Sequence, residues 1–231
     1  MVDTSTRIKE DQHKAQWMYQ QLYKKYGAPK WRTPLPAIDE LVSTILSQNT
    51  NDNNRDAAFE RLKATYPSWE EVRDAPVEGI IEAIRTAGLG NQKGKRIKAV
   101  LQQITEERGK LDLVFLKDWE REKVRSYLLS FKGVGLKTAS IVMQFSLGMP
   151  AFPVDTHIHR ITGRFGIRPP KMDAEKTHEY MEGLFTPDQY EAGHLNIIRL
   201  GREICQARKA HCLQCPLQEK CLYFEQNPLS E

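Results

Sequence analysis

An all-α fold is the architecture this sequence predicts. Apolar residues recur at helical spacing along nearly the whole chain, with no convincing alternating strand. Glycines fall just past several of those apolar stripes, where helices characteristically stop. A third feature stands apart from both: the only four cysteines lie within the last 27 residues, spaced Cys205-x6-Cys212-x2-Cys215-x5-Cys221.

Taken in order, Ala15, Met18, Leu22 and Tyr26 form the first stripe, closed by Gly27, and Ile38, Leu41, Val42, Ile45 and Leu46 form the second. Ala58, Phe59 and Leu62 mark a third helix behind the polar run Asn49–Asn54, which supplies a cap. Ser68 and Glu71 have capping-box spacing and open a short helix. Ile80, Ile81 and Ile84 lead to Gly88, and Ile97, Val100, Leu101 and Ile104 lead to Gly109. Further helices are expected over Asp118–Ser130, Leu136–Leu147, Thr156–Phe165, Asp173–Phe185 and Pro187–Ile204.

Composition narrows the class of protein. The chain has 231 residues, 28% charged and 40% hydrophobic, enough for one large or two small domains with a sizeable core. Met1–Lys14 is too polar for a secretory signal, and no apolar run approaches the roughly 18 residues of a membrane span. The net charge of +4 permits nucleic-acid binding without demanding it. With no mark of secretion, a reducing cytoplasm is the expected location, and disulfide bonds between the cysteines are not expected.

Cysteines gathered into one short segment point to a single four-thiolate site, since core cysteines would be scattered. Tetrahedral zinc and a [4Fe–4S] cube compete for such a set. Structural zinc usually sits between two close pairs. Here only Cys212 and Cys215 are close, and the wider reach to Cys205 and Cys221 suits a bulkier group.

Two segments echo each other. Ala87-Gly88-Leu89-Gly90-Asn91-Gln92-Lys93-Gly94 and Lys132-Gly133-Val134-Gly135-Leu136-Lys137-Thr138-Ala139 both read as a Gly-apolar-Gly turn between helices. Two α-hairpins with ordinary turns would look the same. As helix-hairpin-helix elements they would let backbone N–H groups at a helix start approach a phosphate. Lys137 follows Gly135 by two residues, and Asp155 stands 18 residues on, in Pro153-Val154-Asp155-Thr156-His157, where a helix N-cap belongs. Taken singly, Lys137 reads as a surface lysine and Asp155 as a plain cap. His157 and His159 form a His-x-His pair that no neighbouring carboxylate or cysteine completes into a metal site.

The order of Gly133–Ala139, then Val154-Asp155-Thr156-His157-Ile158, then the cysteine loop resembles endonuclease III, of the helix-hairpin-helix base-excision glycosylases, from about Pro36 to Cys221. The resemblance implies two helical domains with a DNA cleft between them. Residues 37–154 would form a helical barrel, its hairpin near 128–139. Residues 1–36 and 155–231 would form a domain around a [4Fe–4S] cluster on Cys205, Cys212, Cys215 and Cys221.

It also implies catalytic roles. Lys137 would attack C1′ of the damaged nucleotide and form a Schiff base, and Asp155 would help deprotonate it and steady positive charge on the sugar. β-Elimination would then cut the strand. The implied partner is double-stranded DNA carrying damaged bases, oxidised pyrimidines above all, or abasic sites, handled by a monomer. Because the target base must leave the stack, Asn49 and Leu89 are expected to fill the gap, Asn49 standing where the family has Gln. Lys93, with Lys95 and Arg96, together with Gly133, Gly135, Arg208 and Lys209, is expected to contact DNA. Phe131-Lys132 departs from the family's usual Leu-Pro before the hairpin. Another base preference (8-oxoguanine or a mismatched base) and a non-catalytic DNA-binding module are the alternatives.

Overall fold

A computed structural model describes residues 4–29 and 33–227. Among these residues the chain is all-α, and β-pairing is limited to one isolated bridge between Cys205 and Ala210. It divides into two compact units, one of residues 33–149 and one built from both chain ends, 1–32 and 150–231.

The first described helix, α1 (Thr4–Tyr26), belongs to the second of these and is halted by Gly27 at φ +73°. Ala15, Met18 and Leu22 are buried on one face of α1, as their spacing requires.

The unit of residues 33–149 holds α2 (Ala37–Leu46), α3 (Asp52–Thr65), α4 (Trp69–Asp74), α5 (Val77–Ala83), α6 (Gly90–Arg108), α7 (Arg121–Ser130) and α8 (Leu136–Phe145). α2 is buried on every side from Glu40 to Leu46, so it forms the axis against which α3, α6 and α8 pack. Asn51 caps α3 by accepting the Asn54 N–H at 2.9 Å, and Ser68 caps α4 by accepting from Glu71 at 3.2 Å. Gly88 and Gly109 end their segments at φ +67° and +73°.

One expected helix is shorter than its sequence pattern. Asp118 closes a 3-10 turn, Val114–Asp118, and α7 starts only at Arg121. Trp119 is extended there, packed edge-on against Phe115 and Tyr127. An aromatic cluster, rather than helical propensity, sets that boundary.

In the unit of the chain ends, α1 packs on α10 (Ala174–Leu184) and α11 (Tyr190–Glu203), and α9 (Thr156–Phe165) packs on α11. The span expected from Pro187 to Ile204 is divided, because a Thr186–Gln189 capping box closes a separate 3-10 turn at Pro187–Gln189. Phe152, Ile158, Phe165, Met181, Ile197 and Leu200 join the α1 stripe in one core, and Cys205, Cys215 and Cys221 pack against its edge. The last described helix is α12 (Leu222–Gln226).

Candidate active site and thiol centre

The second hairpin runs from α7 through Phe131–Gly135 into α8. Gly133 has φ +85°, a conformation favouring glycine, and a Cβ there would collide with the Arg96 guanidinium. Val134 turns inward and is buried, and its N–H bonds to the Phe131 carbonyl at 3.0 Å. Gly135 is different: it is extended, and a Cβ there would meet nothing within 4 Å. As the N-cap of α8 it offers no side-chain acceptor, so the first N–H groups of α8 remain available to an outside anion. Lys137 is the second residue of α8, half-buried, with its Nζ 3.5 Å from the Ser47 hydroxyl. Ser47 itself donates to the Thr44 carbonyl at 2.8 Å.

The first hairpin has the same outline and a different display. Leu89 is the N-cap of α6, left-handed at φ +52° and 48% exposed, whereas its counterpart Val134 faces the core. Asn49, in the loop between α2 and α3, is also exposed, at φ +54°. Among the described residues these are the two non-glycine residues with positive φ. Asparagine tolerates that conformation better than most side chains, and leucine does not. The preceding Gln48 is turned inward, accepting from Arg96 and donating to the Gly133 carbonyl at 3.4 Å.

Lys93 does not lie where a phosphate contact requires. It is 1% exposed, and its ammonium donates to the carbonyls of Leu46 at 2.7 Å and Ala87 at 2.8 Å. Burial, with the Arg96 charge adding to it, pushes Lys93 down to about 8. The expectation that Lys93 grips DNA is therefore corrected: its charge serves two helix ends inside the unit. Lys95 is exposed and Arg96 half-buried.

In the unit of the chain ends, Asp155 is the N-cap of α9 and accepts from the Ile158 N–H at 2.8 Å. The two histidines that follow part company. His157 packs against Gly201 and meets Arg160 at 3.1 Å, and burial, with Arg160 and Arg202 adding to it, pushes it below the usual histidine range. His159 bonds to the Met172 carbonyl at 3.1 Å.

All four cysteines line one small cavity with Ile204, Arg164 and Tyr223. Burial, with Cys205, Cys221 and Cys212 adding to it, pushes Cys215 up to about 11, and burial also raises Cys212. Among the described residues no three His, Cys, Asp or Glu side chains converge as a single-ion site. The four thiols surround one cavity. Coordination to a metal centre deprotonates a thiol outright, which is the charge balance such a set needs.

Two arginines that the sequence did not single out fasten this loop. Arg160 donates to the Cys205 carbonyl at 3.0 Å, and Arg164 to the carbonyls of Gln206 at 2.7 Å and Ala207 at 2.8 Å. Arg164 also lies over the Tyr223 ring. The available signal was their four-residue spacing on the helix after Asp155, which alone reads as a solvated face. Arg208 and Lys209 are exposed just beyond the fastened carbonyls.

A profile of the HhH-GPD superfamily of base excision DNA repair proteins matches residues 42–187. The chain belongs to that superfamily. Within it the chain is 34% identical to endonuclease III of Sulfolobus acidocaldarius, over 81% of this chain and 82% of that one. It is 31% identical to endonuclease III of Thermotoga maritima, over 83% and 85%. It is thus a member of the endonuclease III family, an enzyme of the DNA glycosylase/AP lyase class. A putative DNA glycosylase of Arabidopsis thaliana is 42% identical over 62% of this chain, which spans 49% of that longer protein. Among solved structures, a non-covalent endonuclease III–DNA complex superposes with a TM-score of 0.80 at 22% identity, covering 94% of this chain and 97% of that one. A thermostable thymine-DNA glycosylase gives 0.77 at 20% identity, over 93% and 98%. At these identities the structural likeness speaks for the fold alone. No helix among the described residues is long and apolar enough to cross a membrane.

Proposed function

We propose that the protein removes oxidised pyrimidines from double-stranded DNA by lysine Schiff-base chemistry and then cuts the strand by β-elimination. The observation that carries this reading is the position of Lys137: a half-buried amine one residue into α8, directly behind a turn whose N-cap leaves backbone N–H groups for a phosphate. An amine held against a phosphate anchor sits close to a sugar.

In the proposed reaction the neutral Lys137 Nζ bonds to C1′ as the N-glycosidic bond breaks, and the base departs with the bonding electrons and takes up a proton. The nitrogen lone pair then opens the ring, O4′ leaves C1′ and takes up a proton, and a protonated imine remains. The imine acidifies C2′–H, and removal of that proton expels the 3′ phosphate. Asp155 is proposed as the carboxylate that accepts the lysine proton and steadies charge on the sugar. Its motif and its place at the head of α9 support the role. Asn49 and Leu89 are proposed as the wedges replacing the extruded nucleotide, supported by the exposure of both and the strained backbone of Leu89. Arg208 and Lys209 supply exposed charge for the DNA backbone.

Cys205, Cys212, Cys215 and Cys221 are proposed to hold a [4Fe–4S] cluster. When bound it would supply the covalent scaffold for a loop with little core of its own. A reducing, cytoplasmic setting, where cysteines stay available as thiolate ligands, is proposed, and the protein is proposed to act as a monomer.

Borohydride trapping on a duplex with an abasic site tests the central step. Wild type is expected to give a covalent protein–DNA adduct and Lys137→Gln none. An adduct from Lys137→Gln would assign the nucleophile to another amine.

A further inference from the structure

Lys93 is a cation kept inside the unit of residues 33–149, and its partners suggest what it does there. Leu46 is the last residue of α2, and Ala87 is the last residue of the 3-10 turn Arg85–Ala87. Helix C-termini collect unpaired carbonyls and partial negative charge, so one ammonium closes two helix ends at 2.7 and 2.8 Å. Three residues past the first end stands Asn49, and two past the second stands Leu89. Both hold left-handed backbones, a state that asparagine accepts readily but that costs about 1–2 kcal/mol for a side chain such as leucine and persists there only where its surroundings enforce it. One turn further along α6, Arg96 reaches Gln48 and lies under Gly133, which ties the loop after α2 to the second hairpin as well.

We propose that Lys93 is a positioning residue for base extrusion, holding the α2–α3 loop and the first hairpin at one fixed spacing so that Asn49 and Leu89 enter the duplex as a matched pair. This rests on reading those two side chains as wedges. A surface lysine reaching for a phosphate would add to affinity uniformly. An internal lysine joining two loops acts only where both loops must meet intact duplex, and Lys93 is buried with both its carbonyl partners on those loops' own helix ends.

Lys93→Met keeps the length of the side chain and removes both bonds, and Lys93→Gln keeps N–H donors on a shorter arm. Each is compared with Asn49→Ala and Leu89→Ala on a duplex with one oxidised pyrimidine, the same strand alone, and a duplex with a pre-made abasic site. Lys93→Met is expected to slow single-turnover excision from the damaged duplex by about 10- to 100-fold, the scale of a misplacement near 1 Å. Trapping at the abasic site should stay within about threefold of wild type, and the salt dependence of binding should not change. Lys93→Gln should fall between, and it carries the comparison if Lys93→Met does not fold. Full duplex activity in both Lys93 variants, beside a duplex-selective loss in Leu89→Ala, would overturn the positioning role alone. Equal losses on all substrates in Asn49→Ala and Leu89→Ala would instead retire the wedge reading. Uniform loss in the Lys93 variants would leave a merely structural lysine, and a salt slope reduced by about 0.9 would make it a phosphate contact. Either result overturns the proposal.

Discussion

Gly133 and Gly135 stand two residues apart in one turn and have opposite reasons to be glycine. At Gly133 the cause lies inside the protein, in a left-handed φ and the adjacent Arg96 guanidinium. Gly133→Ala should therefore destabilise the fold by about 1–3 kcal/mol, read from urea unfolding. At Gly135 nothing in the protein forbids a side chain. Gly135→Ala loses the tolerance of a glycine N-cap but also the chain entropy of a glycine, so it should shift stability by no more than about 1 kcal/mol in either direction. A weakened grip on undamaged duplex would then report close approach of a phosphate. Asp155 calls for the same separation of roles. Asparagine caps a helix as well as aspartate does, so Asp155→Asn should shift unfolding by less than about 0.5 kcal/mol. The loss of its charge should slow base removal on the order of 10²- to 10³-fold in a single-turnover assay. Both catalytic candidates were legible from sequence because their spacing and neighbours form a pattern. The burial of Lys93 was not, since lysine spacing on α6 reads as a solvated face, and only the carbonyls of Leu46 and Ala87 draw it inward.

At the scale of elements, stripes and stops placed most helices within a residue or two, because Gly27, Gly88, Gly109, Asn51, Ser68, Asp155 and Asp173 mark their ends by local chemistry. The failures came where distant groups decided. Trp119 leaves the helix to join Phe115 and Tyr127, and no local spacing announces that contact. The likeness of the two hairpins was visible, but their opposite display of Leu89 and Val134 was not, since both read Gly-apolar-Gly. The cysteine loop is the element least able to stand alone. It has only short turns at Cys212–Gln214 and Gln218–Lys220, one bridge, and the clamps from Arg160 and Arg164. Metal analysis of aerobically purified protein should find four irons per chain and a yellow-brown colour, whereas one zinc and no colour would displace the cluster. Cys212→Ser should lower iron content and soluble yield together, because binding energy at such a site is folding energy.

For the whole molecule, a net charge of +4 says little about stability, while one internal group makes a definite statement about pH. Lys93 is pushed from 10.5 to about 8, chiefly by burial and secondarily by Arg96. Between these values the unfolded chain binds more protons than the folded one, so the lysine's contribution to stability rises with pH. Below about 8 its cost is full and constant. The ceiling of that rise is on the order of 3 kcal/mol, at about 1.4 kcal/mol for each tenfold loss of proton affinity on folding. Other groups oppose it at higher pH. Tyr26, Tyr127 and Tyr180 are all raised above 10, mainly by burial, and groups of that kind lose stability as pH climbs past 10. The informative window is therefore about pH 8 to 9.5, where the tyrosines are mostly protonated in both states. Across it, wild type should gain about 1 kcal/mol per pH unit relative to Lys93→Met, measured by urea unfolding at half-unit steps. Using the difference cancels groups common to both proteins. Parallel lines for the two proteins would show that the lysine keeps an ordinary affinity for its proton, and a gap that narrowed as pH rose would reverse the sign of its coupling to folding.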